Sequence, residues 1–402
     1  MTATQDAVRR MEAVLEIGLR LARTTPSGRI VLASVVRRID LEWIPRPWGD
    51  EIIAELRSAL DYAGETMKPK LVERGLREAW GSPPTQELDD FDAVPVAVTP
   101  TSQVHRGVLD GAPVAVKILR PGLALAVRQD LALLDRLHSP LAAAFPGLDP
   151  HAVVQEFHDR VLEELDLELE ATAQRRFHRA LRGHPLLLVP APITRLAHER
   201  VLVSEWIDGD PLWRAPDLDR AAAQLVLFTL GGAAAGIVHA DPDPDDVRIL
   251  ADGRLAMLDF GAWREVDSTR VTLAAGGLDA FRVGDPKRFG AAATALGWLP
   301  ARHTGAALDL LREALGDLAG PGAVRLDGAA LIAARDRLLE RGDAAVGLIL
   351  AGMLPAQDLW PVRSVAQLVA AIGRVGATGD WWELAAVALR EGWDARPGAL
   401  GS

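Results

Sequence analysis

The sequence predicts an α+β fold in three parts, and three observations predict it. Residues 1–90 carry apolar side chains at helical spacing, and residues 91–119 alternate and are rich in valine. From residue 213 onward the pattern is again helical, apart from one β-hairpin. We therefore expect a helical N-terminal extension over 1–90, a strand-rich unit with inserted helices over 91–208, and a helix-rich unit over 209–402.

The N-terminal extension is predicted to hold several short helices. An apolar stripe that includes Val8 and Leu19 predicts the first of them. Further helices are expected over 28–38, 48–63 and 67–81, the last ending at a glycine. Stripes of this kind are typical of helix faces that pack into a core.

The strand-rich unit begins with VPVAVTPTSQVHRGVLDGAPVAVKIL, in which LDGAP has the composition of a tight turn between two strands. The acid-rich segment over 151–182 is predicted to be one long amphipathic helix. VLVSEWIDGDPL, over 201–212, is predicted to be a strand that runs into a glycine turn.

In the third part, VRILADGRLAMLDFG is predicted to form two strands joined by an ADGR turn. Several Ala/Leu-rich helices follow, and Asp380 is expected to cap the helix that contains WWELAAVAL. No internal repeat is evident in the sequence.

The composition excludes several classes of protein. The chain has 402 residues and no cysteine, so it has no disulfide framework, thiol nucleophile or zinc finger. A net charge of −11 argues against sequence-independent nucleic-acid binding, which needs a basic face. The N-terminus lacks the apolar core of a secretory signal, and no run of about 18–20 apolar residues could span a bilayer. We therefore expect a soluble, cytoplasmic protein, with peripheral membrane contact left open.

The segment HADPDPDDVRILADGRLAMLDFG concentrates carboxylates. Asp241, Asp243, Asp245 and Asp246 fall within six positions, and Asp259 follows thirteen residues later. Two such charges about 4 Å apart repel by roughly 4 kcal/mol at an effective dielectric constant of about 20. A divalent cation would remove this cost, and the hairpin would bring Asp246 and Asp259 close together, about 5 Å apart. The alternative is a solvated acidic loop, which we expect for Asp243 and Asp245.

Lysine is rare in this chain and marks a second candidate position. Only four of the 44 basic residues are lysine, namely Lys68, Lys70, Lys117 and Lys287. Lys117 ends the apolar strand VAVK, where its ammonium needs a partner. A strand lysine, a helix glutamate, an aspartate near the reacting hydroxyl and metal-binding residues are what phosphoryl transfer uses. Glu164 and Glu170 are the candidate glutamates for this lysine.

Four blocks of the sequence resemble the UbiB/AarF-like family of atypical protein kinases. They are VHRGVLDGAPVAVKILRPG, VLEELDLELEA, VLVSEWIDGDPL and the acidic segment above, in the family's order and spacing. The resemblance implies a bilobal protein-kinase-like fold, with a helical N-terminal extension and a helix-rich C-terminal lobe.

The resemblance also implies roles for individual residues. Lys117 would bind phosphates, Glu164 and Asp166 match the acidic E-x-D motif, and Glu170 matches the glutamate that pairs with the lysine. The hinge that holds adenine through its backbone would run from Glu205 to Ile207. In the acidic segment Asp241 matches the catalytic aspartate and Asp259 the metal-binding aspartate of DFG. Asp246 stands where the family has asparagine, the second metal ligand.

The sequence departs from the family at three places. Val31, Ala33 and Ser34 occupy the lysine, glycine and glutamine positions of the K-x-G-Q signature, and Lys68 and Lys70 do not replace it by register. The phosphate loop, AVTPTSQVH, has no glycine, the residue that lets backbone approach a phosphate closely. Asp246 adds a negative charge that opposes a triphosphate. We therefore expect weak ATP binding and slow or absent transfer.

The resemblance implies an ATP-dependent phosphotransferase or ATPase that uses Mg²⁺ or Mn²⁺. It further implies a role in isoprenoid-quinone or membrane-lipid metabolism, with a lipid or isoprenoid substrate. Two alternatives remain open from the sequence. One is a pseudokinase that serves as a regulatory or binding module, and the other is a small-molecule phosphotransferase, which the E-x-D block and the long N-terminal extension disfavour.

Overall fold

A computed structural model describes residues 65–396, together with Arg9, Arg10, Ala13, Val14, Glu16 and Arg20. The six isolated residues are helical, whereas the helices expected over 28–38 and 48–63 lie outside the described residues. The strands are β1 Asp90–Val98, β2 Ser102–Leu109, β3 Ala112–Leu119, β4 Leu187–Leu188, β5 Val201–Glu205, β6 Asp210–Pro211, β7 Ile237–His239, β8 Val247–Ile249, β9 Leu255–Met257, β10 Trp263–Glu265, β11 Val324–Leu326 and β12 Ala377–Gly379.

The helices alternate with these strands and dominate the second half of the chain. They are α1 Pro69–Trp80, α2 Pro84–Glu87, α3 Leu123–Leu131, α4 His138–Ala144, α5 Pro150–Glu163, α6 Leu167–Ala180, α7 Leu218–Ala234, α8 Ser268–Val283, α9 Pro286–Ala295, α10 Thr304–Leu315, α11 Gly328–Glu340, α12 Asp343–Ala351, α13 Leu359–Val375 and α14 Trp381–Glu391. The structure is therefore the predicted α+β fold with a kinase-like arrangement of two lobes.

The first lobe is built on an antiparallel sheet with strand order β1-β2-β3-β5. Asp110 (φ 51°) and Gly111 (φ 75°) form the tight turn between β2 and β3, where left-handed backbone favours glycine. α1 covers one face, because Val72 and Leu76 pack with Ile118 in one buried cluster. α6 covers the other face and leaves Lys117 between sheet and helix.

The second lobe is organised around α7, whose residues from Ala221 to Ala233 are buried. The predicted hairpin is confirmed as β8 and β9, in which Val247 pairs with Met257. β4 and β6 flank this hairpin, giving the strand order β4-β9-β8-β6. The short pair β7 and β10 lies beside α7 and holds His239 opposite Trp263.

Other local predictions are confirmed. α1 ends at Gly81, which adopts a left-handed conformation (φ 74°), and Asp380 caps α14 by accepting from the Glu383 amide at 3.1 Å. In the described ranges no single helix is long and apolar enough to cross a membrane. One pair, 343–351 with 356–375, meets that length and composition only when joined across a 111° bend.

Candidate active site between the two lobes

Lys117 and Glu170 form the centre of the site. Lys117 projects from the α6 face of the sheet, since its neighbours Val116 and Ile118 project toward α1. Its Nζ donates to Glu170 Oε1 and Oε2, both at 2.9 Å. The Glu170 side chain is only 2% exposed, compared with 20% for Lys117. Of the two candidate glutamates, the structure thus places Glu170 on the lysine.

The prediction of one helix over 151–182 is wrong, because the chain breaks between Glu163 and Leu167. Asp166 caps α6 instead, and its Oδ1 accepts from the Glu168 amide at 2.9 Å and the Leu169 amide at 3.3 Å. The apolar period runs through the break, so periodicity alone predicts a continuous helix. The cap starts a new helix one turn before Glu170 and thereby fixes where this carboxylate lies.

Asp259 closes the third side of the site. Its Oδ2 accepts from Lys117 Nζ at 3.0 Å, and its Oδ1 accepts from the Gly261 amide at 2.8 Å. The Phe260 amide approaches Glu170 Oε1 at 3.5 Å. The loop after β9 therefore joins the sheet lysine and the helix glutamate, bringing together three residues that are 53 and 89 positions apart in the chain.

The site holds more carboxylate than ammonium, and the pKa shifts follow from this. Burial works to lower the pKa of Lys117, but Asp259 and Glu170 outweigh it and raise that pKa above its usual range. Burial raises the pKa of Glu170 to about 7, although Lys117 opposes the rise. The pKa of Asp246 is raised by burial and by the neighbouring charge of Asp259. Glu170 and Asp246 therefore bind protons more readily than exposed carboxyl groups do.

Asp246 and Asp259 are the two carboxylates that could hold a metal ion bound together with a nucleotide. Asp246 precedes β8, Asp259 follows β9, and the Leu258 amide donates to Asp246 O at 2.9 Å, so the hairpin brings their backbones together. Among residues 65–396, no group of three or more His, Cys, Asp or Glu side chains could hold a metal ion. Mg²⁺ commonly takes one or two carboxylates and completes its shell with phosphate oxygens and water, which matches this donor pair.

Asp241 is buried and paired with an arginine that the sequence analysis did not consider. Its Oδ2 lies 3.3 Å from Arg363 Nη2, on α13. Glu164, the E-x-D glutamate, lies 3.9 Å from Arg363 Nη1 and thus belongs to this second group of charges. The sequence pattern of α13 does not predict this contact, because Arg363 and Asp241 are 122 residues apart in the chain.

The histidine of the acidic segment, His239, has a structural role. His239 Nε2 lies 2.6 Å from the carbonyl oxygen of Asp259, which makes this ring nitrogen the donor. Burial lowers the pKa of His239 and keeps the imidazole neutral. The histidine therefore ties β7 to the DFG segment, residues 259–261.

The outer aspartates of the segment differ, since Asp245 is exposed whereas Asp243 is largely shielded from solvent. Asp243 is half-buried, accepts from the Asp245 amide at 3.0 Å, and has a pKa that burial raises. Arg374, also on α13, lies 3.9 Å from Asp243 Oδ1 and 3.6 Å from Asp245 Oδ1. The expectation of a solvated loop is therefore wrong for Asp243, which caps a turn and faces an arginine.

The predicted hinge continues from β5. Glu205 is held in place, since its amide donates to Ala191 O at 3.0 Å and its Oε2 accepts from the Ala191 amide at 2.8 Å. The Trp206 amide donates to Pro113 O at 3.2 Å. Within residues 65–396 no backbone–backbone hydrogen bond involves the N–H or C=O of Ile207.

The connection between β1 and β2 is a closed turn. The Thr99 amide donates to Ser102 O at 2.9 Å, and Thr99 Oγ1 accepts from the Ser102 amide at 2.9 Å. Arg120 fastens this turn, because its Nη2 donates to Thr99 O at 3.0 Å. Lys68 and Lys70 are exposed at the start of α1, the helix that packs on the sheet face away from Lys117.

An aromatic cluster joins the parts of the site. Phe177 of α6 lies 5.2 Å from Phe260 and 5.8 Å from Phe228 of α7, measured between ring centroids. His239 lies 5.5 Å from Phe260, and Trp393 lies 6.0 Å from Phe177. The helix that carries Glu170 is therefore packed directly onto the DFG segment and the core of the second lobe.

Comparison with known families accounts for this geometry. The model of the ABC1 atypical kinase-like domain matches residues 60–288, which is more than half of the chain. The chain belongs to the ABC1 atypical kinase-like family. The predicted resemblance to atypical kinases is confirmed, and its UbiB/AarF-like description fits this ABC1 membership.

Curated ABC1 relatives share part of their length with this chain. Protein ACTIVITY OF BC1 COMPLEX KINASE 1, chloroplastic, of Arabidopsis thaliana is 32% identical over 199 residues, covering 46% of this chain and 29% of that protein. An uncharacterized protein of Synechocystis sp. is 31% identical over 238 residues, covering 52% of this chain and 58% of the relative. An uncharacterized Mycobacterium tuberculosis protein is 30% identical over 237 residues, covering 56% and 48%. The chain thus spans between 29% and 58% of the length of these relatives.

A solved structure shares the fold of this chain. The complex of Rv3197 with erythromycin, from Mycobacterium tuberculosis, superposes with a TM-score of 0.60 and 24% identity. The match covers 89% of this chain and 90% of that one. The similarity therefore extends beyond residue 288 into the C-terminal helices of the second lobe.

Proposed function

We propose that this ABC1-family protein binds ATP with Mg²⁺ or Mn²⁺ and slowly transfers or hydrolyses the terminal phosphoryl group. The observation that carries the proposal is the contact of Lys117 Nζ with both Glu170 and Asp259. This ion pair between a strand lysine and a helix glutamate, beside a DFG aspartate, is the arrangement on which phosphoryl transfer by kinases depends.

The residues of the chain would divide the work as follows. Lys117 would hold phosphate oxygens, while Glu170 keeps its ammonium in place. Asp246 and Asp259 would bind the metal, which neutralises charge on the transferred phosphoryl group. Asp241 would orient a hydroxyl or a water for attack, and Ile207 would bind adenine through its backbone.

The substrate proposal rests on the family resemblance. We propose a lipid or isoprenoid alcohol in quinone or membrane-lipid metabolism, met by peripheral contact with a membrane. An ATPase that assists such metabolism would need the same nucleotide site and water in place of the alcohol.

A pseudokinase is the second candidate, and two observations favour it. The β1–β2 turn is closed by Thr99 and Arg120 without a glycine, and the carboxylates exceed the ammonium in the site. Both features oppose the approach of a triphosphate.

Nucleotide binding is tested by thermal stabilisation with ATP, with and without Mn²⁺. Wild type should gain stability only with both together, because the metal must offset the repulsion between ATP and Asp246. Lys117→Met should lose the gain, measured against its own unligated melting temperature, whereas the matched exposed lysine variant Lys287→Met should keep it. Strong stabilisation by ATP alone, unchanged by metal, would contradict the proposal.

A further inference from the structure

α13 is fixed against the second lobe by a buried carboxylate at its start. Asp358, 5% exposed, accepts from Arg270 Nε at 2.8 Å and from Trp298 Nε1 at 2.7 Å. Two donors from different elements thus hold one carboxylate, and this double attachment sets the position of the first turn of α13.

The start of α13 packs directly on residues 239–247, the segment that carries Asp241 and is called the catalytic loop below. Trp360 is buried in a cluster with Ala240 and Ala262. Ala240 directly follows β7 and Ala262 directly precedes β10, so both lie at the same end of this strand pair. Ser364 is also buried, and its Oγ donates to His239 O at 2.7 Å. Trp360, three positions before Arg363, and Ser364, one position after it, are therefore both attached to the segment that carries Asp241.

Arg363 extends from this fixed turn to Asp241 and Glu164. The guanidinium carbon lies 4.8 Å from the centroid of the Trp360 ring, so the ring supports the planar group while its nitrogens meet the two carboxylates. The Arg363 side chain is 24% exposed, so solvent and small solutes can reach it.

The catalytic loop has no cation of its own. Residues 239–247 contain four aspartates and neither lysine nor arginine. Arg363 and Arg374 are eleven residues apart, about three helical turns, and so share one face of α13. On this face Arg363 supplies positive charge to Asp241, and Arg374 supplies it to Asp243 and Asp245.

We propose that Arg363 is the positioning residue of the catalytic loop, which holds the Asp241 carboxylate in the orientation that receives the attacking hydroxyl or water. The proposal rests on the proposed function of the site. It makes α13, which lies beyond the matched domain at residues 60–288, a functional part of the active site.

The first test measures phosphate release from Mn·ATP by Arg363→Ala. Misplacement of one reacting group predicts a fall in kcat of about tenfold to a hundredfold, with KM for ATP changed less than about threefold. Guanidinium at about 50 mM should restore part of kcat, because a solute of the same shape can occupy the vacated space. Arg363→Lys should have a kcat between those of wild type and Arg363→Ala. This conservative variant tests the proposal if Arg363→Ala does not fold.

The matched control is Arg390→Ala. Arg390 pairs with Asp279 at 3.1 Å on the surface of the second lobe, and its side chain is 43% exposed, so guanidinium can reach this position as well. Its kcat should stay within about twofold of wild type and should not respond to guanidinium. A wild-type kcat in Arg363→Ala, or equal stimulation of both variants by guanidinium, would overturn the proposal.

A thermal double-mutant cycle with Arg363→Gln and Asp241→Asn separates this proposal from the proposed function. If Arg363 holds Asp241, the double variant should lose much less melting temperature than the sum of the two single losses. Additive losses would overturn the proposal even in an active enzyme. If wild type releases no phosphate, the proposed function fails, and the cycle still decides whether Arg363 holds Asp241.

Discussion

At the scale of single residues, the charge balance around Lys117 governs the site. One ammonium contacts two carboxylates within 3.0 Å, and burial together with the charge of Asp259 raises the pKa of a third carboxyl group, that of Asp246. Removing the ammonium leaves the buried Glu170 carboxylate facing that of Asp259, whereas removing one carboxylate relieves the excess of negative charge. The direction and size of each substitution effect follow from this asymmetry.

We expect Lys117→Met to cost more stability than Glu170→Gln. The lysine variant should lose about 3 kcal/mol of unfolding free energy, because it breaks a buried ion pair and leaves the buried Glu170 carboxylate without its cation. Glu170→Gln keeps a hydrogen-bonding group of the same size and should lose about 1 kcal/mol. Urea unfolding at neutral pH measures both, and the reverse order would contradict the proposed charge balance.

The raised pKa of Glu170 predicts a pH dependence of stability. Burial raises this pKa from 4.5 to about 7, so between these values the folded chain binds more protons than the unfolded chain. The Glu170 contribution to unfolding free energy is therefore present at low pH and is lost as pH rises through about 7. Subtracting the urea-unfolding curve of Glu170→Gln from that of wild type isolates this contribution. A difference that grows with pH would show that the pKa is lowered instead.

At the scale of elements, the break between α5 and α6 positions Glu170. Asp166 caps α6, and the next turn carries the glutamate toward β3. Such a break is hard to predict, because apolar residues keep helical spacing across it. The turn at Asp110, the cap at Asp380 and the β8–β9 hairpin were predictable, since each depends on residues adjacent in sequence.

We expect Asp166→Ala to impair turnover as well as stability. Loss of the cap should cost about 1 kcal/mol and let the start of α6 shift, which moves Glu170 away from Lys117. Asp149→Ala is the matched control, because Asp149 Oδ1 caps α5 at 3.0 and 3.1 Å without a contact to the site. Both variants should lose similar stability in urea unfolding, but only Asp166→Ala should lower the rate of phosphate release. Equal rates in the two variants would argue against a positioning role for the cap.

At the scale of the whole molecule, the site exists because distant segments meet between the lobes. Lys117, Glu170, Asp259 and Arg363 come from four segments, and the aromatic cluster around Phe177 packs two of them, α6 and the DFG segment, together. Sequence motifs identified the first three residues, since family spacing preserves them. Arg363 could not be identified this way, because it depends on how a C-terminal helix packs against the loop.

We expect Phe177→Ala to weaken the whole assembly. Replacing a fully buried phenylalanine with alanine should lower the unfolding free energy by about 3–5 kcal/mol. Stabilisation by Mn·ATP should also fall, because α6 loses its packing contact with Phe260 of the DFG segment. Phe281→Ala is the matched control, since Phe281 is buried in a separate cluster with Leu308 and Trp382. It should lose comparable stability and keep its nucleotide response. The same loss of nucleotide response in both variants would argue against a specific link through Phe177.

The central claim is that the site supports chemistry on ATP, and phosphate release from ATP with Mg²⁺ or Mn²⁺ tests it most directly. Asp259→Asn removes a proposed metal ligand and the second partner of Lys117 while keeping the size of the side chain. We predict metal-dependent release by wild type at a rate at least about tenfold above that of Asp259→Asn. Equal background rates in the two proteins would contradict the enzyme proposal and leave the pseudokinase.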